Sequence, residues 1–357
     1  MPHKQRILIA PLDWGLGHAS RCIPIIRLLL KKELDVIIAA DGRPLELLKA
    51  EFPDLEFISF QGYSINYPEK GSMIWKMITS LPKIFTGIYN EHKALKRIIK
   101  DRKIDIVISD NRFGLWNKGI KTVFITHQLM IKSPFGEGLL HKINLFFINK
   151  YNECWIPDEE GTTNLSGDLS HKYSLPKKAY FVGTLSRFTK GNEENSKVNY
   201  EIMAIISGPE PQRTIFETLI TEQLLKTNLR AIIVCGKTDD KIKKDTKGNL
   251  EIVNHLRADE MQVTILQSKI IIARSGYSTV MDLATLGKKA VFVPTPGQTE
   301  QEYLAGILMQ KKISYFQKQS ELNLKEAIIK SKEYKGFEAL HSNNALEKRI
   351  DALIKNP

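Results

Sequence analysis

Short apolar runs rich in β-branched residues alternate along the chain with amphipathic stretches of helical length. RILIAPL (6–12), DVIIAAD (35–41), LEFISF (55–60), IDIVISD (104–110) and KTVFITH (121–127) read as strands, and the segments after His18, after Arg43 and around Asn90 to Asp101 as helices. Runs that are apolar throughout, rather than alternating, belong to parallel strands covered by helices on both faces. After Tyr180 the pattern restarts, with EIMAIISG, RAIIVCG, LEIVNHL, KIIIARSG and KAVFVPT as strands and TEQEYLAGILMQKK among the helices. The fold class is therefore α/β: two Rossmann-like doubly wound parallel-sheet domains, expected to face a central cleft. The domains are placed at 1–183 and 184–335, with the hinge near VGTLSRFTKGNEENSK, a polar stretch containing Gly183 and Gly191. Residues 336–357, ending in EKRIDALIKNP, are predicted as a last helix packing back on the first domain.

Composition supports two cores: the chain has 357 residues, 42% of them hydrophobic. Its formal net charge of +12 is dispersed over both halves, which suits a phosphate-bearing ligand or an anionic membrane surface. With no zinc-finger spacing, aromatic RNA-binding signature or basic tail, nucleic acid is not an expected partner. Cys22, Cys154 and Cys235 lie far apart, so neither a disulfide framework nor a zinc site is expected. Nowhere do eighteen apolar residues run together, and the first apolar run is too short for a signal peptide. A cytoplasmic protein, peripheral on the inner face of the plasma membrane if it meets a membrane at all, is the expectation.

Open parallel sheets bind ligands at the carboxyl ends of their strands, so the chemistry is sought just after each apolar run. In DWGLGHASR, Gly15 and Gly17 permit a tight turn and place His18 in the first turn of a helix. The positive end of the helix dipole disfavours imidazolium there, which suits a base at neutral pH. Asp110, ending IDIVISD, is positioned either to orient His18 by accepting from its other ring nitrogen or to cap a helix. Arg112 and His127 end neighbouring strands and are either acceptor-side candidates, with Gly15 and Gly17, or residues in a surface or structural role. A GxGxxG dinucleotide fingerprint with Asp41 as the ribose acid fits poorly, because Ser20 stands where the third glycine would be.

In the second half, ARSGYSTVMD puts Ser275 and Gly276 at a strand end and Ser278 and Thr279 at a helix start, a natural phosphate site. Asp282, a turn further on, can accept from both hydroxyls of a ribose. The next junction, KAVFVPTPGQTEQEYLAG, offers Gln298, Gln301 and Glu302 at a second helix start, and two such junctions side by side point to a nucleotide.

The stretch SGYSTVMDLATLGKKAVFVPTPGQTEQEYLA resembles the carboxyl-terminal signature of glycosyltransferase family 28, typified by a peptidoglycan N-acetylglucosaminyltransferase that glycosylates a lipid-linked muropeptide. The resemblance is close in the donor half, about residues 180 to 310, and implies the two-domain glycosyltransferase B architecture throughout. By it, Asp282 matches the family's ribose-holding acid, there a glutamate; Gln301 matches the first of two consecutive donor-sugar glutamines, with Glu302 in place of the second. Gly183 and Arg187 in VGTLSRF look like the linker motif whose arginine approaches the diphosphate. Ala258 in LRADEM matches the loop that reads uracil, and in SGPEPQR only Gly208 and Arg213 still match a glycine-rich loop. GLGHASR is similar both to the family's first glycine-rich loop and to the GxGHxxR loop of a nucleotide-sugar hydrolase.

The resemblance implies inverting transfer of a sugar, N-acetylglucosamine being one candidate, from a UDP-sugar to a glycan or lipid-linked acceptor hydroxyl. His18 would take the proton, and the start of the Ser278 helix with Arg187 and Arg213 would stabilise the departing diphosphate. No cofactor and no metal is expected, since no DxD-like pair stands in the donor half. A nucleotide-sugar hydrolase and a non-catalytic nucleotide-sugar-binding protein are the alternatives. GSMIWKMITSLPKIFTGIYNEHKALKRIIK and LLHKINLFFINK mix aromatic and aliphatic residues with lysines, as an interfacial helix or a core helix with a solvated face does.

Overall fold

The computed structural model describes residues 4–62, 73–132, 136–189, 197–237, 242–339 and 344–355; for residues 73–81 it describes the backbone only. The chain forms two compact units, one of residues Met1–Leu185 with Ser342–Pro357, the other of Ser186–His341. Of the predicted hinge, residues 190–196 lie outside the described ones.

The first unit is a seven-stranded, all-parallel sheet in the order β3-β2-β1-β4-β5-β6-β7. Its strands are β1 (Arg6–Pro11), β2 (Asp35–Ala40), β3 (Glu56–Ser59), β4 (Ile106–Asp110), β5 (Lys121–Ile125), β6 (Glu153–Ile156) and β7 (Ala179–Phe181), joined by helices α1 (Leu16–Lys31), α2 (Gly42–Glu51), α3 (Met73–Arg102), α4 (Glu137–Ile148) and α5 (Asp168–His171). Ile7, Leu8, Ile9, Val107 and Ile108 are buried, as strands covered on both faces require. One core forms where Leu95 of α3 meets Leu8, Ile37 and Val107, another where Ile148 of α4 meets Phe124 and Cys154.

The second unit repeats the plan with an added edge: β10-β11-β9-β8-β12-β13-β14, parallel except for the β10–β11 hairpin. Its elements are β8 (Tyr200–Ile205), α6 (Gln212–Leu225), β9 (Ala231–Val234), β10 (Lys244–Lys247), β11 (Leu250–Val253), α7 (Ala258–Leu266), β12 (Ser268–Ala273), α8 (Tyr277–Thr285), β13 (Ala290–Phe292), α9 (Thr299–Gln310), β14 (Tyr315–Phe316) and α10 (Leu324–Ser331). Phe216, Ile220 and Leu224 of α6 pack on Ile202, Ala204, Ile233 and Ile272 of the sheet. Gly287, at φ 62°, ends α8 in the left-handed conformation that glycine adopts without steric cost.

The tail departs from its predicted span. Gly336 N–H donates to Ile313 and Phe337 N–H to Lys288, so these residues stay with the second unit, and helix α11 starts only at Ala345 (Ala345–Lys355). α11 then joins the first unit: Ile350 and Leu353 are buried, Lys32 Nζ reaches Asp351 at 2.6 Å and Glu347 at 3.2 Å, and Lys121 Nζ donates to the Leu353 carbonyl at 3.0 Å. Arg349 pairs with Glu153 and lies over the Tyr180 ring, 3.7 Å from its centroid. The three cysteines are buried free thiols.

Candidate functional site

In the first unit the strand order reverses between β1 and β4, the place where a doubly wound sheet opens a crevice at its carboxyl ends. The chain leaves β1 through Asp13 and Gly15, whose φ of 151° and open surroundings at the Cβ position begin α1, with Gly17 and His18 in its first turn. β4 ends at Asp110 alongside. His18 Nδ1 lies 3.3 Å from Asp110 Oδ2, and Asp110 is completely buried. His18 and Asp110 are thus adjacent, and they are not alone. Arg21, one turn after His18 and 2% exposed, donates from Nε to Asp110 Oδ2 at 2.6 Å and from Nη2 to Oδ1, and its Nη2 stands 2.8 Å from His18 Nδ1. His127, buried at the exit of β5, meets Arg21 Nη1 through its Nδ1 at 3.1 Å.

The electrostatics follow from this packing. Burial, then the charge of Arg21, holds the His18 imidazole below its ordinary value, against the pull of Asp110. That direction favours the neutral ring, and its first causes are desolvation and the charge of Arg21. For Asp110, burial would raise the carboxyl, but Arg21 and His18 outweigh it and the net direction is down. The Cys22 thiol, 3.9 Å from Asp110 Oδ2, is pushed well up by burial and by that carboxylate.

Arg112 requires a correction. It is fully buried, and its guanidinium donates to the carbonyls of Pro11 at 2.8 Å and Phe60 at 3.0 Å and to Glu91 Oε1 at 2.9 Å. An arginine so engaged braces the β1 and β4 exits; it does not line an acceptor site.

In the second unit the order reverses between β8 and β12. β12 runs out through Arg274, Ser275 and Gly276 into α8, which has no side-chain cap, and Gly276 has open space where a Cβ would stand. The first N–H groups of a helix have no partner within it, so this start can receive an anion. Ser278 and Thr279 are half-buried on the first turn. Ser275 Oγ donates to the Gln301 carbonyl at 2.7 Å, which ties the α8 start to α9. Gln301 Oε1 accepts from Thr295 N–H at 2.8 Å while its amide donates to Gln298, and Glu302 accepts from Gly297 N–H at 3.3 Å. Gly208, at φ 114°, passes beside Thr295, whose buried hydroxyl finds no partner among the described residues.

Asp282 is buried on α8, where its Oδ1 accepts from Ser186 Oγ at 2.7 Å and its Oδ2 lies 3.5 Å from Arg187 Nε. Burial raises its carboxyl despite the opposing charge of Arg187. Arg187 and Asp282 are thus together, and Ser186 occupies an oxygen that an incoming hydroxyl would need. Ala258 opens α7 after β11, two strands from β8, and Gln262 of that helix donates to the Thr189 carbonyl at 2.8 Å.

Arg213 is the second correction. Its guanidinium pairs with Glu210 and with Glu217 (2.8 Å) and donates to the Cys235 carbonyl at 3.3 Å, so its charge is neutralised within the unit. The arginine that sequence reasoning passed over is Arg274. Buried, it donates to the carbonyls of Val293 (2.9 Å), Pro294 (3.0 Å) and Gln212 (3.1 Å) and to Gln319, and stacks 4.0 Å from the Phe216 ring centroid. No carboxylate is among these partners, and burial alone lowers its pKa to about 9. Arg21 was missed as well, although its place three residues after His18 puts both on one helix face.

Residues 205–355 match the glycosyltransferase family 28 C-terminal domain, and residues 5–118 match glycosyl transferase family 1. A glycosyltransferase of Methanosarcina mazei is 24% identical over 330 residues, 86% of this chain and 84% of its own length. The UDP-N-acetylglucosamine--N-acetylmuramyl-(pentapeptide) pyrophosphoryl-undecaprenol N-acetylglucosamine transferase of Flavobacterium psychrophilum is 29% identical over 161 residues, 44% of this chain and 42% of its own. Among solved structures, the glycosyltransferase SnogD from Streptomyces nogalater superposes with a TM-score of 0.62 at 12% identity, covering 98% of this chain and 100% of that one, a likeness of fold. That fold is the glycosyltransferase B type, with two parallel-sheet α/β units. The chain is a glycosyltransferase whose residues 205–355 match the family 28 carboxyl-terminal domain.

Proposed function

We propose that the chain transfers a sugar from a UDP-sugar to an acceptor hydroxyl with inversion at the anomeric carbon and without a metal. The observation that carries this reading is the α8 start: a helix without a side-chain cap directly after β12 at a sheet reversal, with a buried carboxylate, Asp282, on the same helix. In the proposed reaction the ribose hydroxyls displace Ser186 from Asp282, and the diphosphate takes the α8 N–H groups, Ser278 and Thr279, with Arg187 beside it. Developing charge on the leaving group is met by dipoles already in place, aided by Arg274, which has no carboxylate partner among the described residues. In the first unit His18 takes the proton of the acceptor hydroxyl as that oxygen attacks, and the carbon–oxygen bond to the diphosphate breaks to release UDP.

A lipid-linked acceptor is supported by the Flavobacterium relative, whose name includes one, and by the surface of the first unit. Phe85 and Tyr89 of α3 and Leu139 and Phe146 of α4 are exposed, and Lys150 Nζ lies 4.6 Å from the Phe146 ring centroid. Aromatic rings beside ammonium groups suit an anionic lipid surface. No helix among the described residues is long and apolar enough to cross a membrane. Of the segment GSMIWKMITSLPKIFTGIYNEHKALKRIIK, predicted as an interfacial or core helix, residues 71 and 72 lie outside the described residues and the side chains of 73–81 outside the described ones.

A UDP-release assay over a panel of UDP-sugars tests the reading. Release that requires an acceptor is the expected result; release at the same rate in water alone identifies a hydrolase, and binding without release a sensor. Flotation with phosphatidylglycerol vesicles at low salt tests the lipid surface, with Phe146→Ser reducing recovery; absence of the protein from the vesicle fraction would remove it.

A further inference from the structure

The cluster around His18 contains a contradiction that only one protonation pattern resolves. His18 Nδ1 faces a donor, Arg21 Nη2, at 2.8 Å and an acceptor, Asp110 Oδ2, at 3.3 Å. Arginine has no acceptor, so where Nδ1 meets Arg21 it presents a lone pair and the ring proton sits on Nε2. Where Nδ1 carries the proton it can bond only to Asp110. The shorter contact selects the first arrangement. His127 Nδ1, 3.1 Å from Arg21 Nη1, is under the same constraint.

We infer that Arg21 is a positioning residue for His18: by gripping Asp110 at both oxygens and donating to Nδ1, it keeps the imidazole uncharged and stores its proton on Nε2 in the resting enzyme. The inference rests on the base role given to His18 above and deepens it. A histidine protonated on Nε2 cannot accept there, so the resting state is not yet a base. To become one, Nδ1 must acquire a proton and turn it on Asp110 while Nε2 gives one up to solvent, an exchange with no net change in charge. That step requires Arg21 Nη2 to release Nδ1, and the other bonds of Arg21, to Asp110 and His127, give it a place to remain while doing so. The charged and titratable groups around His18 are Arg21 on its own helix, Asp110 at the end of β4 and His127 after β5, with the Cys22 thiol against Asp110. Without Arg21, Asp110 becomes an unopposed carboxylate beside the ring.

Nitrogen-15 NMR of histidine-labelled full-length protein reads this directly, with His18→Gln assigning the resonance. In the wild type at pH 7.5 the shifts are expected to report a neutral ring protonated on Nε2, titrating below the ordinary histidine value. In Arg21→Gln the proton moves to Nδ1 and the midpoint rises by about one pH unit or more, as an uncovered carboxylate neighbour requires; the acid limb of the rate profile moves with it. Arg21→Lys, which keeps the charge, returns the midpoint toward the wild type. A wild-type ring protonated on Nδ1 overturns the inference even if the variants fail to fold, and so does a midpoint in folded Arg21→Gln equal to the wild-type one. Neither result depends on turnover, so a failure here is separate from a failure of the transferase reading.

Discussion

Apart from their edge strands the two units share one strand order, and they set different kinds of side chain at the same topological point. In the first, the reversal between β1 and β4 is filled with groups that exchange protons: His18, Asp110 and His127 around the single guanidinium of Arg21. In the second, the reversal between β8 and β12 offers a helix start, hydroxyls and amides, and Arg274 has no carboxylate partner among the described residues. A doubly wound sheet decides where a ligand can sit, and the side chains of two loops decide whether the place handles protons or anions. The arginines make the difference concrete. Arg21 is paired with an acid and lowers the pKa of its carboxyl; Arg274 has no carboxylate partner among the described residues.

Four experiments test that division. His18→Ala is expected to lower turnover by about 10²–10⁴-fold, the usual contribution of a general base, while UDP affinity measured by calorimetry stays at the wild-type value. Loss of affinity would mean that proton chemistry and nucleotide binding are not divided between the units. Arg112→Met strands the buried Glu91 carboxylate and should cost about 3–5 kcal/mol of stability in urea unfolding, with KM of the folded fraction unchanged. A changed KM would return Arg112 to the acceptor site. Asp282→Ala should weaken UDP binding by about 1–3 kcal/mol and leave uridine-free diphosphate binding alone. The smallest effect separates the two acids by sign. The Asp110 carboxyl lies below its ordinary value in the folded chain, so its contribution to stability is complete above the unfolded value and is lost as pH falls through the folded one. The Asp282 carboxyl lies above its ordinary value, so the folded state takes up its proton first and stability rises as pH falls from that raised value toward the unfolded one. Urea midpoints of Asp110→Asn and Asp282→Asn against pH should therefore deviate from the wild type in opposite directions; deviations of one sign would refute the contrast.

Much of this was readable in advance where local pattern and function coincide. The buried runs of β1, β4, β8 and β12 announced a parallel sheet because both their faces are covered, and His18 and Asp110 stood out because one opens the helix after such a run and the other ends one. β10 left no such trace: all four of its residues, Lys244–Lys247, are exposed and polar, and its strand exists only through pairing with β11. The arginines failed for a related reason. Nothing in a single sequence distinguishes Arg112, braced by Glu91 and two carbonyls, from an arginine reaching for a ligand, because its partners come from residues 21 to 101 positions away. Ser186 was invisible likewise, its hydroxyl meeting Asp282 across 96 positions.

The return of α11 to the first unit has a consequence for biosynthesis. Lys32, Lys121 and Glu153 are translated early, yet the helix that engages them leaves the ribosome only after the entire second unit has been made, on the order of ten seconds later at usual elongation rates. Until then the nascent amino-terminal unit exposes the apolar seat of Ile350 and Leu353 and is a natural client for chaperones. An affinity tag appended after residue 357 would accordingly be felt by the first half of the protein rather than by its neighbour in sequence.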